Sequence, residues 1–431
     1  MKRFLAVLAV AAFPAFSGAA DLLDVYREAI VQDARFAAAR AEFEAGRERA
    51  VQARAGLLPN IDASGSVNRN RVDPSRGPTS SFTGNAWGVQ LTQPLFRMQN
   101  RIAAEQGELQ TELAEVQFEL ARQDLILRVS EAYFNVLNAE DVLEAFSQLQ
   151  TAAAEQLEIA RTSFEVGTVT ITDVYEAQSR SDLASAQVIA AQNDLDVRRD
   201  TLAQIIARDP GVLAGLRPEV ELSGPTPDNS ADWVSAAELA GFGVQVQHIA
   251  RELANREASR ARAGHLPTVD LVASQSWSDR QNSTQAPRTA ATAVGVQLNV
   301  PLYAGGAISS REREAAALLT KADFDLEGAR RDAALSARQA YLGVTSGLAR
   351  IRALEAAEVS SLSALEATRF GFEVGVRINI DVLNAQSQVA DTRRELSSAR
   401  YQTLLAQLSL KAAAGTLDEE DLEVVNTLLA Y

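Results

Sequence analysis

The sequence predicts a mainly α-helical fold with a smaller β-barrel portion, and three observations carry the prediction. The chain is written twice: Phe164-Glu165-Val166-Gly167 returns as Phe372-Glu373-Val374-Gly375, a displacement of 375 − 167 = 208 residues. Each copy contains a proline-free run long enough for a helix of about 100 Å at 1.5 Å per residue. Each copy also contains two segments in which the apolar period drops from 3.6 to 2. The same displacement carries Ala55-Gly56-Leu57-Leu58-Pro59 onto Ala263-Gly264-His265-Leu266-Pro267 and Ala177-Gln178-Ser179 onto Ala385-Gln386-Ser387. A period this long exceeds the roughly 20–50 residues of solenoid repeats, so each copy holds several elements and the copies are pseudo-equivalent.

Residues 1–20 read as a secretory signal peptide: Lys2-Arg3, an apolar run from Phe4 to Phe16, then the small residues Gly18-Ala19-Ala20. The first repeat spans 21–208 and opens with a helical stretch over 21–58, whose Leu22, Leu23, Val25, Tyr26, Ala29 and Ile30 form one stripe. Past Pro59, Ile61, Ala63, Gly65 and Val67 alternate with polar neighbours, and Trp87, Val89 and Leu91 do the same. These alternations predict strands at about 60–72 and 86–96, separated by the loop Asp73-Pro74-Ser75-Arg76-Gly77-Pro78. The spacing then predicts a long helix over 99–165 and another over 172–208, with Gly167 ending the first. Residues 209–233 carry prolines and read as a connector. The second repeat, 234–414, predicts a helix, strands at 268–278 and 292–303 around a loop with Pro287, and helices over 308–371 and 380–414 that turn at Gly375. Residues 415–431 read as an irregular tail.

Composition narrows the function. Removing Lys2 and Arg3 takes the formal charge from −15 to −15 − 2 = −17, which argues against nucleic acid as a partner. With no cysteine, neither disulfides nor lipidation is available, and aromatic residues are only 6%, which suits long helices packed through alanine. Catalysis finds little support. His248 lies on a helix, and His265 replaces Leu57 of the first copy; no metal-ligand or phosphate-loop spacing is present, Gly305-Gly306 being a strand-to-helix turn. No cofactor is implied.

Strands of about 10 residues with one apolar and one polar face match a transmembrane barrel. Four cannot close, and lipid tolerates no open sheet edge, so several chains must share one barrel. Trp87 and Trp277 fall where an interfacial aromatic girdle would sit. A periplasmic adaptor is the rival reading, because adaptors also carry long helical hairpins. It predicts one hairpin flanked by many short strands, whereas this chain repeats a hairpin and a strand pair twice.

The segments Gln90-Leu91-Thr92-Gln93-Pro94-Leu95-Phe96, Ala132-Tyr133-Phe134-Asn135-Val136-Leu137-Asn138-Ala139, Val166-Gly167 through Ile171-Thr172-Asp173-Val174, and Ile380-Asp381-Val382-Leu383 resemble the outer-membrane efflux family. The resemblance covers nearly the whole mature chain and points to the members without a lipid-bearing cysteine. It implies a homotrimer with a twelve-stranded barrel in the lipid of the outer membrane. Below it would lie a periplasmic α-barrel, girdled by an equatorial region drawn from the connector and the tail. The function it implies is a passive exit duct for drug efflux or type I secretion, opened when an inner-membrane transporter (ABC, RND or MFS type) and a periplasmic adaptor dock. It also implies that the turns at Gly167 and Gly375 form the periplasmic tip. Thr172, Asp173, Phe372 and Arg377 would gate the aperture, and Asp381 and Asn384 would line the entrance. Two positions depart from the family: Phe372 replaces a tyrosine whose hydroxyl joins the closing network, and Asn384 replaces a second acidic residue. A simpler role for Thr172 is an N-cap, and for Asp381 a first-turn carboxylate favoured by the helix dipole.

Overall fold

The computed structural model describes residues 19–73, 75–76, 79–217, 220–281 and 288–430. Most of the expected signal peptide, parts of the loop after Asp73 and the loop holding Pro287 lie outside the described residues. The chain divides into two compact units, one of Ala39–Leu120 with Phe242–Asp332, the other of the chain up to Ala38, Ala121–Gly241 and the chain from Ala333.

The unit of Ala39–Leu120 and Phe242–Asp332 contains one antiparallel sheet in the order β1-β2-β3-β4, made of Asn60–Val72, Ser80–Phe96, Thr268–Gln281 and Arg288–Asn299. β2 begins six residues before the alternation from 86 does, since 86 − 80 = 6, because the ladder continues past the apolar pattern and pairs Asn68–Val72 with Ser80–Gly84. The duplicated strand pairs meet at β2 and β3, where Trp87 opposes Trp277 and their rings stack at 3.9 Å. Val67, Val294, Val296 and Leu298 remain largely exposed on the sheet. β1 and β4 are edges with no partner strand among the described residues. At the foot of β2 a register shift between Pro94 and Phe96 precedes Arg97, which grips Asp270 of β3 in two bonds of 2.7 and 2.6 Å. That fork-to-carboxylate geometry fixes the point where strand gives way to helix.

The remaining elements are helices: α1 (Leu22–Gln32), α2 (Ala34–Ala55), α3 (Met98–Glu165), α4 (Ile171–Ile206), α5 (Ser230–Ala240), α6 (Phe242–Arg262), α7 (Ala307–Glu373), α8 (Asn379–Ala413) and α9 (Glu419–Asn426). At 68 and 67 residues, α3 and α7 are each about 100 Å long. No helix among the described residues is long and apolar enough to cross a membrane.

The single helix expected over 21–58 is two. Asp33 breaks it by turning its carboxylate onto the N–H of Phe36 at 2.6 Å, a local bond that competes with the helix ladder. Arg128 of α3 then holds the same carboxylate through two bonds of 3.1 Å. The opening helix of the second repeat also breaks, at Gly241. The tail is not wholly irregular: Asp418 caps α9 in a capping box with Asp421, and Leu422 and Val425 are buried.

In the unit containing α4 and α8, the connector is tied to its surroundings. The Tyr133 hydroxyl donates to the carbonyl of Ala214 at 2.7 Å, and Arg217 Nε donates to Leu429 O at 3.0 Å. Tyr133 and Phe134, both fully buried, anchor the middle of α3, and Phe134 stacks on Tyr401 of α8 at 5.7 Å.

Candidate functional site: the helical tip

Both long hairpins turn by the same device. Gly167 and Gly375 each have φ +77°, the left-handed conformation that glycine adopts without steric penalty. Thr168 N–H donates to Ser163 O at 2.9 Å and Gly167 N–H to Phe164 O at 2.9 Å; Val376 to Gly371 at 2.8 Å and Gly375 to Phe372 at 3.0 Å repeat the pattern. These paired six-to-one and five-to-two bonds close the last carbonyls of α3 and α7. α3 and α7 therefore end at Glu165 and Glu373, and the turns proper begin after them.

The restarts differ. Thr170, not Thr172, caps α4: its side chain accepts from the N–H of Asp173 at 3.4 Å, and the Asp173 carboxylate accepts from the N–H and hydroxyl of Thr170 at 2.7 Å each. Those bonds, the hydroxyl's first and the backbone's second, hold the Asp173 carboxyl below the usual carboxylate range. Thr172 is one position into the helix and exposed. The pattern Thr-x-x-Asp before a helical run was legible in the sequence.

In the second hairpin Ile378 stands where Thr170 does, since 378 − 170 = 208, and has no side chain that can cap. Asp381 is thereby left to pair with Arg377 at 3.6 Å, one turn away on the same hairpin. Arg377 lies against the end of α7, where a Cβ on Gly371 would meet its Cγ at 2.8 Å. Arg377 thus reaches neither Thr172 nor Asp173 in any hydrogen bond or ion pair recorded among the described residues. Phe372, half-buried, has no hydroxyl to offer Asp173.

Two bonds cross from one hairpin to the other near this end. Asn379, at the start of α8, donates to Gln156 O of α3 at 3.1 Å from a buried position. Arg180 of α4 donates to Asn384 Oδ1 at 3.1 Å. Between them Leu383 packs on Ala153, Ala160, Ala177 and Ala184, with Ile380 beside it. Arg180 had no signal in the sequence, because its partner is 204 residues away and only the fold brings them together. Farther along, Asp141 of α3 accepts from Tyr401 OH of α8 at 3.0 Å. Burial pushes the Asp141 carboxyl up, against the lowering effect of Ser397 and Tyr401, and burial followed by the Asp141 charge pushes the Tyr401 phenol far up.

Among the described residues no cluster of side chains is suited to a metal ion. What the tip offers is a set of turns, ties and charges.

Known proteins resemble this chain along nearly its whole length. The sequence profile described as Outer membrane efflux protein matches residues 25–208 and again 233–416, two matches offset by 233 − 25 = 208. The Outer membrane protein TolC of Vibrio cholerae is 32% identical over 99% of this chain and 98% of its own. The Alkaline protease secretion protein AprF of Pseudomonas aeruginosa is 33% identical over 94% of this chain and 87% of its own. The CmeC outer membrane channel of Campylobacter jejuni has a similar fold, with a TM-score of 0.81 at 17% identity over 94% of this chain and 89% of that one.

Proposed function

Because this chain belongs to the family of outer membrane efflux proteins, we infer that it is a passive exit duct of the outer membrane, serving efflux, type I secretion or both. The observation that carries the reading is the four-stranded sheet with two unpaired edges, standing beside helices far longer than a soluble domain of this size needs. Lipid admits such a sheet only when copies of the chain close it into a barrel. The adaptor reading is set aside, because the family match spans both repeats and the strands form one continuous sheet.

The duct acts with inner-membrane transporters and periplasmic adaptors. The finer assignment proposed is a homotrimer with one twelve-stranded barrel, docking a transporter of the ABC class for protein export or the RND or MFS class for small molecules. The kinship with a protease-secretion protein supports the first. The turns at Gly167 and Gly375 are proposed as the periplasmic tip. Thr172, Asp173, Phe372 and Arg377 would stand at its aperture, with Asp381 and Asn384 lining the entrance. The capping box at Thr170 supports a rigid first turn, while the uncapped start of α8 and the Arg377–Asp381 pair support a more yielding second one.

The test is the assembly state in mild detergent. A stable trimer with mixed helix and strand content is expected by ultracentrifugation and circular dichroism; a monodisperse monomer would overturn the reading.

A further inference from the structure

Asn384 takes a hydrogen bond from Arg180, and this bond changes what the entrance is electrostatically. A ring of carboxylates in a constriction acts as a cation filter. Here the residues from 169 to 180 and from 376 to 384 contain five charged groups: Asp173, Glu176 and Asp381 against Arg180 and Arg377. Their formal sum is −3 + 2 = −1 per chain, and without Arg180 it would be −2. Arg377 already lies 3.6 Å from Asp381, one turn away on the same helix start. Arg180 comes from the other hairpin and sets a second guanidinium 3.1 Å from the residue one turn beyond Asp381.

The packing beneath makes this placement specific. Arg180 lines a cleft of about 160 Å³ whose walls include Leu183 and Gln187 of α4, Leu383 and Ser387 of α8, and Leu149 of α3. Phe146 of α3 and Asp391 of α8 also line it, so the bond from Arg180 to Asn384 sits at the rim of an apolar contact between the two hairpins. The bond lies at the surface, with Asn384 exposed and Arg180 half-buried, so the reach of its charge depends on the salt present.

We propose that Arg180 is a selectivity-determining residue of the entrance: docked on Asn384, it offsets part of the Asp381 charge and weakens the duct's preference for cationic cargo. The inference rests on the reading of α8 as the lining of the entrance. In that setting the amide at 384 is an acceptor that positions an arginine, not merely a lost carboxylate.

Reversal potentials in planar bilayers under a salt gradient test it, on wild type, Arg180→Gln, Arg180→Lys and Asp381→Asn, each first shown to be a trimer in detergent. Arg180→Gln should raise the cation-to-anion permeability ratio about twofold or more, Arg180→Lys should keep the wild-type ratio, and Asp381→Asn should lower it. If Arg180→Gln leaves the ratio unchanged while Asp381→Asn shifts it, the entrance is correctly placed and Arg180 has no such role. If neither substitution shifts it, the placement of the entrance fails and the proposal falls with it. A change in Arg180→Gln that Arg180→Lys shares equally would mean that the residue acts by shape and not by charge, and would overturn the proposal as well.

Discussion

Asp173 and Asp381 occupy the same position in the two halves of the chain, 381 − 173 = 208 residues apart, yet their carboxylates have different partners. Asp173 is held by the backbone and hydroxyl of Thr170, and Asp381 faces Arg377. Two substitutions between the halves account for the change: Thr170 has become Ile378, and Val169 has become Arg377. The first turn lost its cap and gained an ion pair between exposed groups, an interaction worth at most about 1 kcal/mol. One restart is therefore locally closed and the other is open to outside partners.

Removing the cap should make the halves alike. Thr170→Ala should cost about 1 kcal/mol of local helix stability. Amide exchange should be slower at 171–174 than at 379–382 in wild type and should become equally fast in Thr170→Ala. The sign with pH follows from the depressed Asp173 carboxyl: its contribution is present above the ordinary value of 3.8 and is lost as pH falls through the lower folded value. Protection at 171–174 that is unchanged in Thr170→Ala would show that the cap does not hold this turn.

The Arg97–Asp270 bond should matter most where the barrel meets the helices. The Asp270 side chain is 8% exposed and that of Arg97 38%, so Arg97→Ala strands a nearly buried carboxylate. The cost should be about 2 kcal/mol, below the range for fully buried pairs because Arg97 is partly solvated. It is read as a lower thermal midpoint of the strand signal in circular dichroism. Adding Asp270→Ala should restore part of the loss; a double variant that is worse than the single one would exclude a stranded charge as the cause.

Asp141 should make the contact between α3 and α8 weaken as pH rises. Burial raises its carboxyl above the ordinary value of 3.8, so the folded state binds the proton more tightly and stability falls as pH rises from there through the raised value. Asp141→Asn keeps an acceptor for Tyr401 and removes the charge. The difference in thermal midpoint, variant minus wild type, should grow from pH 4 upward and then level off. A difference that is constant with pH would mean that Asp141 titrates normally.

Much of this molecule was legible because its parts are long. Alternation at 61–67 and 87–91 and heptad-like spacing from Leu109 to Phe134 are strong, repeated signals, and the 208-residue echo placed them in order. Interruptions were harder to read. The break at Asp33 depends on a side chain turning back on its own backbone, and Arg128, which secures it, lies 95 residues away. The helix at 419–426 reads as irregular chain in the sequence, although Asp418 and Asp421 form a capping box, because a helix of 8 residues has too few turns to show a period. At the tip, the glycines were visible, but the bond from Arg180 to Asn384 is a product of tertiary packing alone.

The two open edges of the sheet have a consequence for inheritance and repair. In the proposed assembly a chain whose β1 and β4 have no partner strand among the described residues cannot be judged sound by itself, since its neighbours would supply its last hydrogen bonds. Every copy becomes a template for the next, and one copy with a spoiled edge withdraws its sound neighbours from service. Such an allele should therefore be dominant: coexpressing wild type with a copy bearing proline in the middle of β4 should lower the yield of trimer below that of wild type alone, and an undiminished yield would mean that chains are sorted before the barrel closes.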